Sequence, residues 1–287
     1  MKPRILCIVG PTASGKSSRA VFEALQRQGE VISVDSRQVY RGLTIGTEKI
    51  SEHDMQGVPH HLIDVREVTH PYSASDFVTD AERLIEDIAQ RGKLPILAGG
   101  TSFYFDALLR PLPKTSQSDP VLRAQLAKRG ADDLYAEILV RDPRRAHKLD
   151  PKNHRRLVRA LEIIETQGAV PERLPVEPHY DVDWIIIDPP REELRPRIDA
   201  RLQQAFDRGL IDEVRGIADH LSVPALNELG LEYRIVGEYL RGERTQESLL
   251  PALSAKLWQY ARRQKAWLRK LQSEIITPEA SLHPDRN

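Results

Sequence analysis

Short apolar runs and helical patterns alternate along the N-terminal part of the chain. The runs Ile5–Val9, Val31–Val34 and Leu94–Ala98 lack polar alternation, and apolar positions recur at helical spacing over Ser17–Gln28 and Ser75–Arg91. Continuous apolar runs of this kind indicate strands that are covered on both faces. Because helices separate the strands, we predict an α/β fold built on a parallel sheet flanked by helices.

The pattern changes in the middle of the chain. Between Pro111 and Pro178, prolines interrupt short, charged helical stretches, and no strong strand pattern appears. The apolar run Trp184–Ile187 then predicts a further core strand, and Glu192–Leu271 is helical in pattern. The residues from Pro278 onward are predicted to form a frayed tail.

These shifts predict a core with one inserted domain. Residues 1–112 and 183–287 are assigned to the core, and residues 113–182 to a helical insertion. The length of 287 residues is compatible with one large domain that carries an insertion. Hydrophobic residues make up 40% of the chain and charged residues 29%, which is typical of a globular protein.

Charge and cysteine content narrow the functional class. Lys+Arg and Asp+Glu both number 42, so only local clustering of charge can indicate a nucleic-acid partner. The single cysteine, Cys7, excludes an internal disulfide and is typical of a reducing compartment. Its apolar neighbours favour a buried strand thiol over a reactive one. No apolar run reaches the length of a membrane span or a signal-peptide core, so we predict a cytoplasmic protein.

The first predicted strand ends in a phosphate-binding motif. Gly10–Ser17 reads GPTASGKS and matches G-x-x-x-x-G-K-[ST] between a predicted strand and a predicted helix. The glycines let successive backbone N–H groups face phosphates, and the helix N-terminus adds a positive dipole. Lys16 adds a charge, and the Ser17 hydroxyl is placed to ligate Mg²⁺. The motif predicts a P-loop NTPase-like core but does not specify which phosphate ester binds.

Two further candidate groups follow predicted strands. Asp35 comes after the second strand and Gly99-Gly100-Thr101 after the third, and ligands of open α/β sheets bind beyond such strand ends. Asp35 can hold Mg²⁺ through water, accept a proton from a nucleophile, or cap a turn. The paired glycines indicate either close approach to a ligand or a tight turn without function. Spacing alone leaves these alternatives open.

Several motifs in a fixed order carry a resemblance to a known family. They are GPTASGKS at Gly10–Ser17, DSRQVYRG at Asp35–Gly42, Ile45-Gly46-Thr47, PHHLID at Pro59–Asp64, YSASDF at Tyr72–Phe77, AGGT at Ala98–Thr101, Asp142-Pro143, Arg156 with Arg159–Glu162, and Gln259–Ala261 with Arg263-Gln264. With them the chain resembles the tRNA dimethylallyltransferases (tRNA isopentenyltransferases) over roughly Arg4–Arg269. Because Cys7 is the only cysteine, no zinc-finger pattern is present, which resembles the bacterial form.

The resemblance implies a reaction. A dimethylallyl group passes from dimethylallyl diphosphate to N6 of the adenosine 3′-adjacent to the anticodon of a tRNA, diphosphate leaves, and Mg²⁺ assists. The P-loop then holds a leaving group and transfers no phosphoryl group. Partners implied by the resemblance are the tRNA anticodon stem-loop and dimethylallyl diphosphate, and a monomer is the default expectation.

The resemblance also assigns roles to residues. The residues implied in catalysis are Asp35 as the proton acceptor, Thr101 and Lys16. Those implied in diphosphate binding are Gly10, Pro11, Thr12, Ala13, Ser14, Gly15, Lys16, Ser17 and Arg201, with Arg201 preferred over Arg197, and Ser17 is the implied Mg²⁺ ligand. Those implied in tRNA binding are Asp35, Ser36, Arg37, Gln38, Thr101, Arg123, Arg155, Arg156, Arg159 and Arg234.

Some features depart from the family pattern or leave alternatives open. Ser102, Arg155, Trp258 and the GLEYR segment ending in Arg234 differ from the usual residues. The C-terminal helix carries basic and aromatic residues that suit either RNA binding or docking on the core. His60 and His61 have no metal-ligand spacing and are predicted to be structural or to line a cavity.

Three alternative functions compete with the tRNA-modifying one. The chain can be an adenylate prenyltransferase that acts on free nucleotide, or a P-loop kinase of small metabolites. The third alternative is a non-enzymatic RNA-binding module with a relict P-loop. The predicted helical insertion and the arginines at Arg155–Arg159 favour tRNA, and the intact Lys16, Ser17 and Asp35 favour an enzyme.

Overall fold

A parallel sheet forms the centre of the larger of two units. The computed structural model describes residues 2–110, 113, 115–116, 118–173 and 177–276. Among these residues, five strands form one sheet in the order β3-β2-β4-β1-β5, all parallel. The strands are β1 Arg4–Val9, β2 Gly29–Val34, β3 His60–His61, β4 Leu94–Gly99 and β5 Asp181–Ile186. The predicted α/β class with a parallel sheet is therefore confirmed.

Burial explains why the central strands could be predicted. All of β2 is buried, and β1 is buried except at Arg4, which matches apolar runs without alternation. Cys7 is fully buried in β1, and this burial raises the pKa of its thiol. The predicted buried strand thiol is confirmed.

The edge strand β3 was not predicted. It pairs with β2 through Val31 and Ile32, and His61 Nε2 lies 2.8 Å from the buried carboxylate of Glu30. Glu30 also pairs with Arg91 and Lys93, and these hydrogen bonds lower its pKa. His61 is therefore structural, as one of the two predicted alternatives proposed.

Helices cover the sheet. In this unit they are α1 Lys16–Arg27, α2 Glu52–Met55, α3 Ala74–Gln90, α4 Ser102–Leu109, α9 Arg191–Asp207, α10 Leu210–Ala218, α11 Val223–Glu228, α12 Leu231–Leu240 and α13 Leu249–Ile276, with a short 3-10 helix at Gln246–Ser248. Their apolar faces pack on the sheet in two clusters of buried residues, one of which includes Phe77, Phe105 and Tyr233. The helical pattern predicted over Glu192–Leu271 is confirmed, whereas the predicted tail from Pro278 lies outside the described residues.

The second unit is helical. It spans residues 110–177, and the larger unit comprises 1–109 and 178–287, so the chain returns to the core before the boundary predicted from the sequence. Its helices are α5 Pro120–Leu126, α6 Ala131–Arg141, α7 Pro143–Ala146 and α8 His154–Gln167. They have their own core, which includes Leu134, Ile138, Leu157 and Leu161. No helix in the described part of either unit is long and apolar enough to cross a membrane.

Candidate functional site

The turn between β1 and α1 forms a cradle of backbone N–H groups. Ala13 and Gly15 adopt left-handed conformations with φ of 61° and 86°, which turn the chain back toward the start of the helix. A side chain at Gly10 would place its Cβ 2.5 Å from the carbonyl oxygen of Ile187, so only glycine fits there. The sequence thus forms the phosphate-binding loop at the carboxyl end of β1, where the motif predicts it.

Two polar groups in this loop fit an anionic ligand. The Ser14 hydroxyl is buried and has no hydrogen-bond partner among the described residues, and a hydroxyl in that condition is stabilised by a phosphate oxygen. Lys16 Nζ donates to the carbonyl oxygen of Pro11 at 2.6 Å. Burial, with a smaller contribution from Arg201 and against the effect of Asp35, lowers the pKa of Lys16 to about 8.

A cavity of about 670 Å³ opens beside this loop. It is lined by Thr12–Ser18, Asp35–Gln38, Gly46–Glu48, Ala98–Thr101, Arg197, Arg201, Leu229–Tyr233, Leu257, Tyr260 and Gln264. The structure therefore brings together most of the predicted diphosphate residues, Asp35 and Thr101 in one volume. Gly10, Pro11 and Arg234 do not line the cavity, and Arg197 lines it alongside the preferred Arg201.

The carboxylate of Asp35 is anchored through one oxygen only. Oδ1 accepts from the backbone N–H groups of Arg37 at 2.8 Å and Gln38 at 3.3 Å, so Asp35 does cap a turn. Oδ2 has no hydrogen bond to any described residue. The turn fixes the orientation of the carboxylate and leaves its second oxygen open to accept a proton.

Thr101 and the preceding glycines join the ends of two strands. Thr101 Oγ1 accepts from the Ser36 backbone N–H at 3.2 Å, and the Thr101 N–H donates to the carbonyl oxygen of Val34 at 3.2 Å. A Cβ at Gly99 would overlap the backbone of Val34. The close approach at Gly99 is thus made to β2, and it places the Thr101 hydroxyl next to the Asp35–Gln38 segment.

Gln264 joins the two loops that carry the predicted chemistry, and the sequence assigned it no role. Its Oε1 accepts from the Thr12 backbone N–H at 2.9 Å, and its Nε2 donates to the Gly100 carbonyl oxygen at 2.9 Å. The side chain is buried, and a Cβ at Gly100 would collide with its amide nitrogen. The only sequence signal was the family-like Arg263-Gln264 pair.

Replacing Gln264 by alanine is expected to lower the free energy of unfolding by about 1–3 kcal/mol, because a partly buried N–H and a partly buried carbonyl lose their partners. Urea denaturation measures the change. The matched control is Gln259→Ala, which removes an exposed glutamine of the same helix and should change stability by less than about 0.5 kcal/mol. Equal stabilities for the two variants would contradict the role of Gln264 as a link between the loops.

A second carboxylate and two arginines complete the charged lining. Glu232 lies in the GLEYR segment, and burial raises its pKa, opposed by Arg201. Arg201 forms no ion pair with a described residue, whereas Arg197 pairs with Glu193 at 2.8 Å. Of the two, Arg201 is thus the arginine whose charge no described carboxylate neutralises.

The arginines predicted to bind tRNA divide into two groups within the helical unit. Arg123 and Arg159 each contact the fully buried carboxylate of Glu162 at 2.7 Å. Arg155 and Arg156 are exposed, and neither forms an ion pair with a residue that the structure describes. The first pair therefore contributes to the internal structure of this unit, and the second pair presents free charge.

One face of the C-terminal helix α13 packs on the main core, and another face exposes basic side chains. Leu257, Trp258, Ala261 and Leu268 are buried in the main core. A second pocket is lined by a set of basic residues, Arg191, Arg262, Arg263, Lys265 and Arg269, together with Trp258. The docking alternative predicted for this helix is therefore correct for one face, and the basic face leaves the RNA-binding alternative open.

Comparisons with known protein sequences all point to one protein family. A sequence model described as IPP transferase matches residues 38–271. The chain is 42% identical over 282 residues to tRNA dimethylallyltransferase 1 of Trichlorobacter lovleyi, covering 94% of this chain and 92% of that protein. It is 40% identical over 281 residues to the tRNA dimethylallyltransferase of Thermomicrobium roseum, covering 93% and 84%.

Solved structures agree with the sequence matches. The full-length tRNA isopentenylpyrophosphate transferase of Bacillus halodurans superposes with a TM-score of 0.70 at 37% identity, covering 93% of this chain and 87% of that chain. A eukaryotic dimethylallyltransferase acting on tRNA superposes with a TM-score of 0.80 at 28% identity, covering 92% and 69%. The P-loop NTPase-like core predicted from the sequence is the fold that these structures share with the chain.

Proposed function

Because the chain belongs to the IPP transferase family, we propose that it transfers a dimethylallyl group from dimethylallyl diphosphate to N6 of the adenosine 3′-adjacent to a tRNA anticodon. One observation carries the proposal. A phosphate cradle and a carboxylate with one open oxygen, that of Asp35, line the same cavity. Alkylation of an amine releases a proton, so this transfer needs a proton acceptor beside the site that holds the diphosphate.

The cradle stabilises the leaving group. As the allylic C–O bond breaks, negative charge develops on the diphosphate. The loop residues Ala13–Ser17, with their backbone N–H groups and the Lys16 ammonium, line the cavity that would hold it. Arg201 adds a second cation whose charge no described carboxylate neutralises. The backbone N–H groups of the loop are held by the fold before the reaction, so they stabilise the developing charge without reorganisation.

Asp35 receives the proton from the attacking amine. The lone pair of N6 forms the new C–N bond, and the nitrogen becomes acidic as the bond forms. Oδ2 of Asp35 accepts the proton, while Oδ1 stays bound to the Arg37 and Gln38 N–H groups. The Thr101 hydroxyl oxygen accepts from the Ser36 N–H, and its own proton would be donated to the adenine. The adenine must leave its stack to reach this site, at a cost of a few kcal/mol.

Magnesium suits the oxygen donors at the cradle. The Ser17 hydroxyl and the Asp35 carboxylate line one cavity, and Mg²⁺ commonly takes one or two protein oxygens together with phosphate oxygens and waters. The described residues contain no group of three or more acidic, histidine or cysteine side chains that could form an all-protein metal site. The ion would neutralise charge on the diphosphate, and Ser17 is the residue we assign to hold it.

Exposed arginines bind the RNA backbone. Arg155 and Arg156 of the helical unit, and the basic pocket residues Arg262, Arg263 and Arg269 of α13, present charge that suits phosphate contacts. Such contacts contribute affinity that falls steeply with salt. Within the helical unit, Arg123 and Arg159 hold the Glu162 carboxylate.

Replacing Arg156 by alanine is expected to weaken binding of an anticodon stem-loop RNA and to reduce the slope of log K against log [salt] by about one. Fluorescence anisotropy at several salt concentrations measures both. The matched variant Arg123→Ala removes an arginine that is paired with Glu162. It should lower the thermal stability of the helical unit and leave the salt slope nearer to that of the wild type. An unchanged slope in Arg156→Ala would remove Arg156 from the RNA contact.

Release of diphosphate with different acceptors tests the proposed function. We expect rapid release with dimethylallyl diphosphate, Mg²⁺ and an anticodon stem-loop RNA, and background release with adenosine monophosphate or with no acceptor. Faster release with the free nucleotide would indicate an adenylate prenyltransferase. ATP hydrolysis without any prenyl transfer would indicate a kinase.

A further inference from the structure

Three successive backbone N–H groups outside the P-loop converge on one carboxylate. Glu213 of α10 accepts from Thr44 at 3.0 Å and Ile45 at 2.6 Å through Oε2, and from Gly46 at 3.0 Å through Oε1. Such a turn of N–H groups is a concavity that binds anions. Here a half-buried side chain of the same protein occupies it.

The same carboxylate also holds an aromatic side chain of the cavity. The Tyr233 hydroxyl donates to Glu213 Oε1 at 2.8 Å, and Tyr233 is only 1% exposed. Burial and the Glu213 charge raise the pKa of Tyr233, so the hydroxyl remains a donor. A Cβ at Gly46 would lie 2.8 Å from the Tyr233 oxygen. Tyr233 and the 44–46 backbone are therefore in close contact, and Glu213 joins them.

Hydrogen bonds through Gln38 connect this segment to Asp35. Gly46, Thr47 and Glu48 line the cavity, and Gln38 Nε2 donates to the carbonyl oxygens of Thr47 at 3.1 Å and Glu48 at 3.3 Å. The backbone N–H of Gln38 in turn donates to Asp35 Oδ1. Segment 44–48 thus lies between Glu213 and the residues that orient Asp35.

We propose that Glu213 is a positioning residue that holds segment 44–48 and Tyr233 as one wall of the cavity and thereby fixes the Asp35–Gln38 turn for reaction with the adenine amine. The inference rests on the proposed transfer to adenosine. Glu213 does not line the cavity, so it acts through the groups it binds. The phosphate cradle has separate anchors in Gln264 and α1, so loss of Glu213 affects the chemical step more than donor binding.

The test compares three variants in single-turnover transfer to an anticodon stem-loop RNA. Glu213→Gln keeps the size of the side chain but places an amide N–H₂ where an oxygen accepted. Tyr233→Phe removes only the hydroxyl. The control Asp212→Asn neutralises an exposed neighbour on α10 that pairs with Arg215. Thermal melting and the affinity for dimethylallyl diphosphate are measured for each.

The expected result separates chemistry from binding. Glu213→Gln should slow transfer about tenfold or more, because small misplacements of a catalytic group are costly. Its affinity for dimethylallyl diphosphate should stay within about threefold of the wild type. Tyr233→Phe should slow transfer by a smaller factor, and Asp212→Asn should behave as the wild type. When Asp35 is already asparagine, Glu213→Gln should have little further effect, because both changes act on one group.

Other results would overturn the inference. One is an unchanged transfer rate in folded Glu213→Gln, and another is a change in donor affinity alone. A third is a double variant whose fold-loss in transfer rate equals the product of the losses caused by Glu213→Gln and Asp35→Asn. If Glu213→Gln fails to fold, the rate of Tyr233→Phe decides, and a wild-type rate would reject the proposal. A wild-type enzyme that transfers nothing to RNA would instead reject the proposed function itself.

Discussion

Replacement of Asp35 by asparagine is expected to lower the rate of dimethylallyl transfer by about 10²–10⁴-fold, the usual contribution of a positioned general base. Asparagine retains an oxygen that can accept from the Arg37 and Gln38 N–H groups, so the turn survives. It removes the oxygen that receives the proton. Single-turnover kinetics with a saturating RNA stem-loop measure the loss.

Binding of the donor provides the internal control for this prediction. The affinity of Asp35→Asn for dimethylallyl diphosphate should remain within about threefold of the wild type, because the cradle is formed by other residues. Asp207→Asn, a change at an exposed aspartate of α9, should leave the rate unaltered. A wild-type rate in Asp35→Asn would exclude Asp35 as the proton acceptor.

Replacement of Lys16 by alanine is expected to weaken binding of dimethylallyl diphosphate by about 10- to 100-fold, since a hydrogen bond to a charged group contributes roughly 1.5–3 kcal/mol. Isothermal titration with the unreactive analogue, inorganic diphosphate, gives the affinity without turnover. Unchanged affinity would contradict the assignment of the P-loop as the diphosphate site.

The lowered pKa of Lys16 predicts a pH dependence of the same binding. In the free protein the amine is charged below a pKa of about 8 and neutral above it. A bound diphosphate favours the charged form and raises this pKa. Affinity is therefore highest below pH 8 and falls as pH rises through that value. The Lys16→Ala variant has no amine at this position and should lose this pH dependence. Identical dependence of affinity on pH in the wild type and in Lys16→Ala would contradict the assignment to Lys16.

The main strands and the phosphate loop were predictable because their signals are local. β1 and β2 are buried on both faces and so read as continuous apolar runs, and the P-loop needs glycines and Lys16 at fixed spacing. β3 escaped prediction because two histidines form no apolar run. The Glu30 carboxylate that binds the His61 side chain lies 31 residues away in sequence.

The roles of Gln264 and Glu213 depend on distant contacts. Gln264 lies 252 residues from Thr12 and 164 from Gly100. Glu213 lies 167 residues from Gly46. No local pattern indicates such partners, so only the fold reveals them. Likewise, the sequence could not separate Arg159, which pairs with the buried Glu162, from Arg156, which pairs with no residue that the structure describes.

Mass spectrometry of an anticodon stem-loop RNA, incubated with the protein, Mg²⁺ and dimethylallyl diphosphate, tests the central claim most directly. Fragmentation of the product locates the modified nucleotide. The proposed function predicts the mass gain of one dimethylallyl group on the adenosine 3′-adjacent to the anticodon, and its absence with the Asp35→Asn protein. An RNA of unchanged mass, under conditions where the protein binds dimethylallyl diphosphate, would contradict the assignment of tRNA as the acceptor.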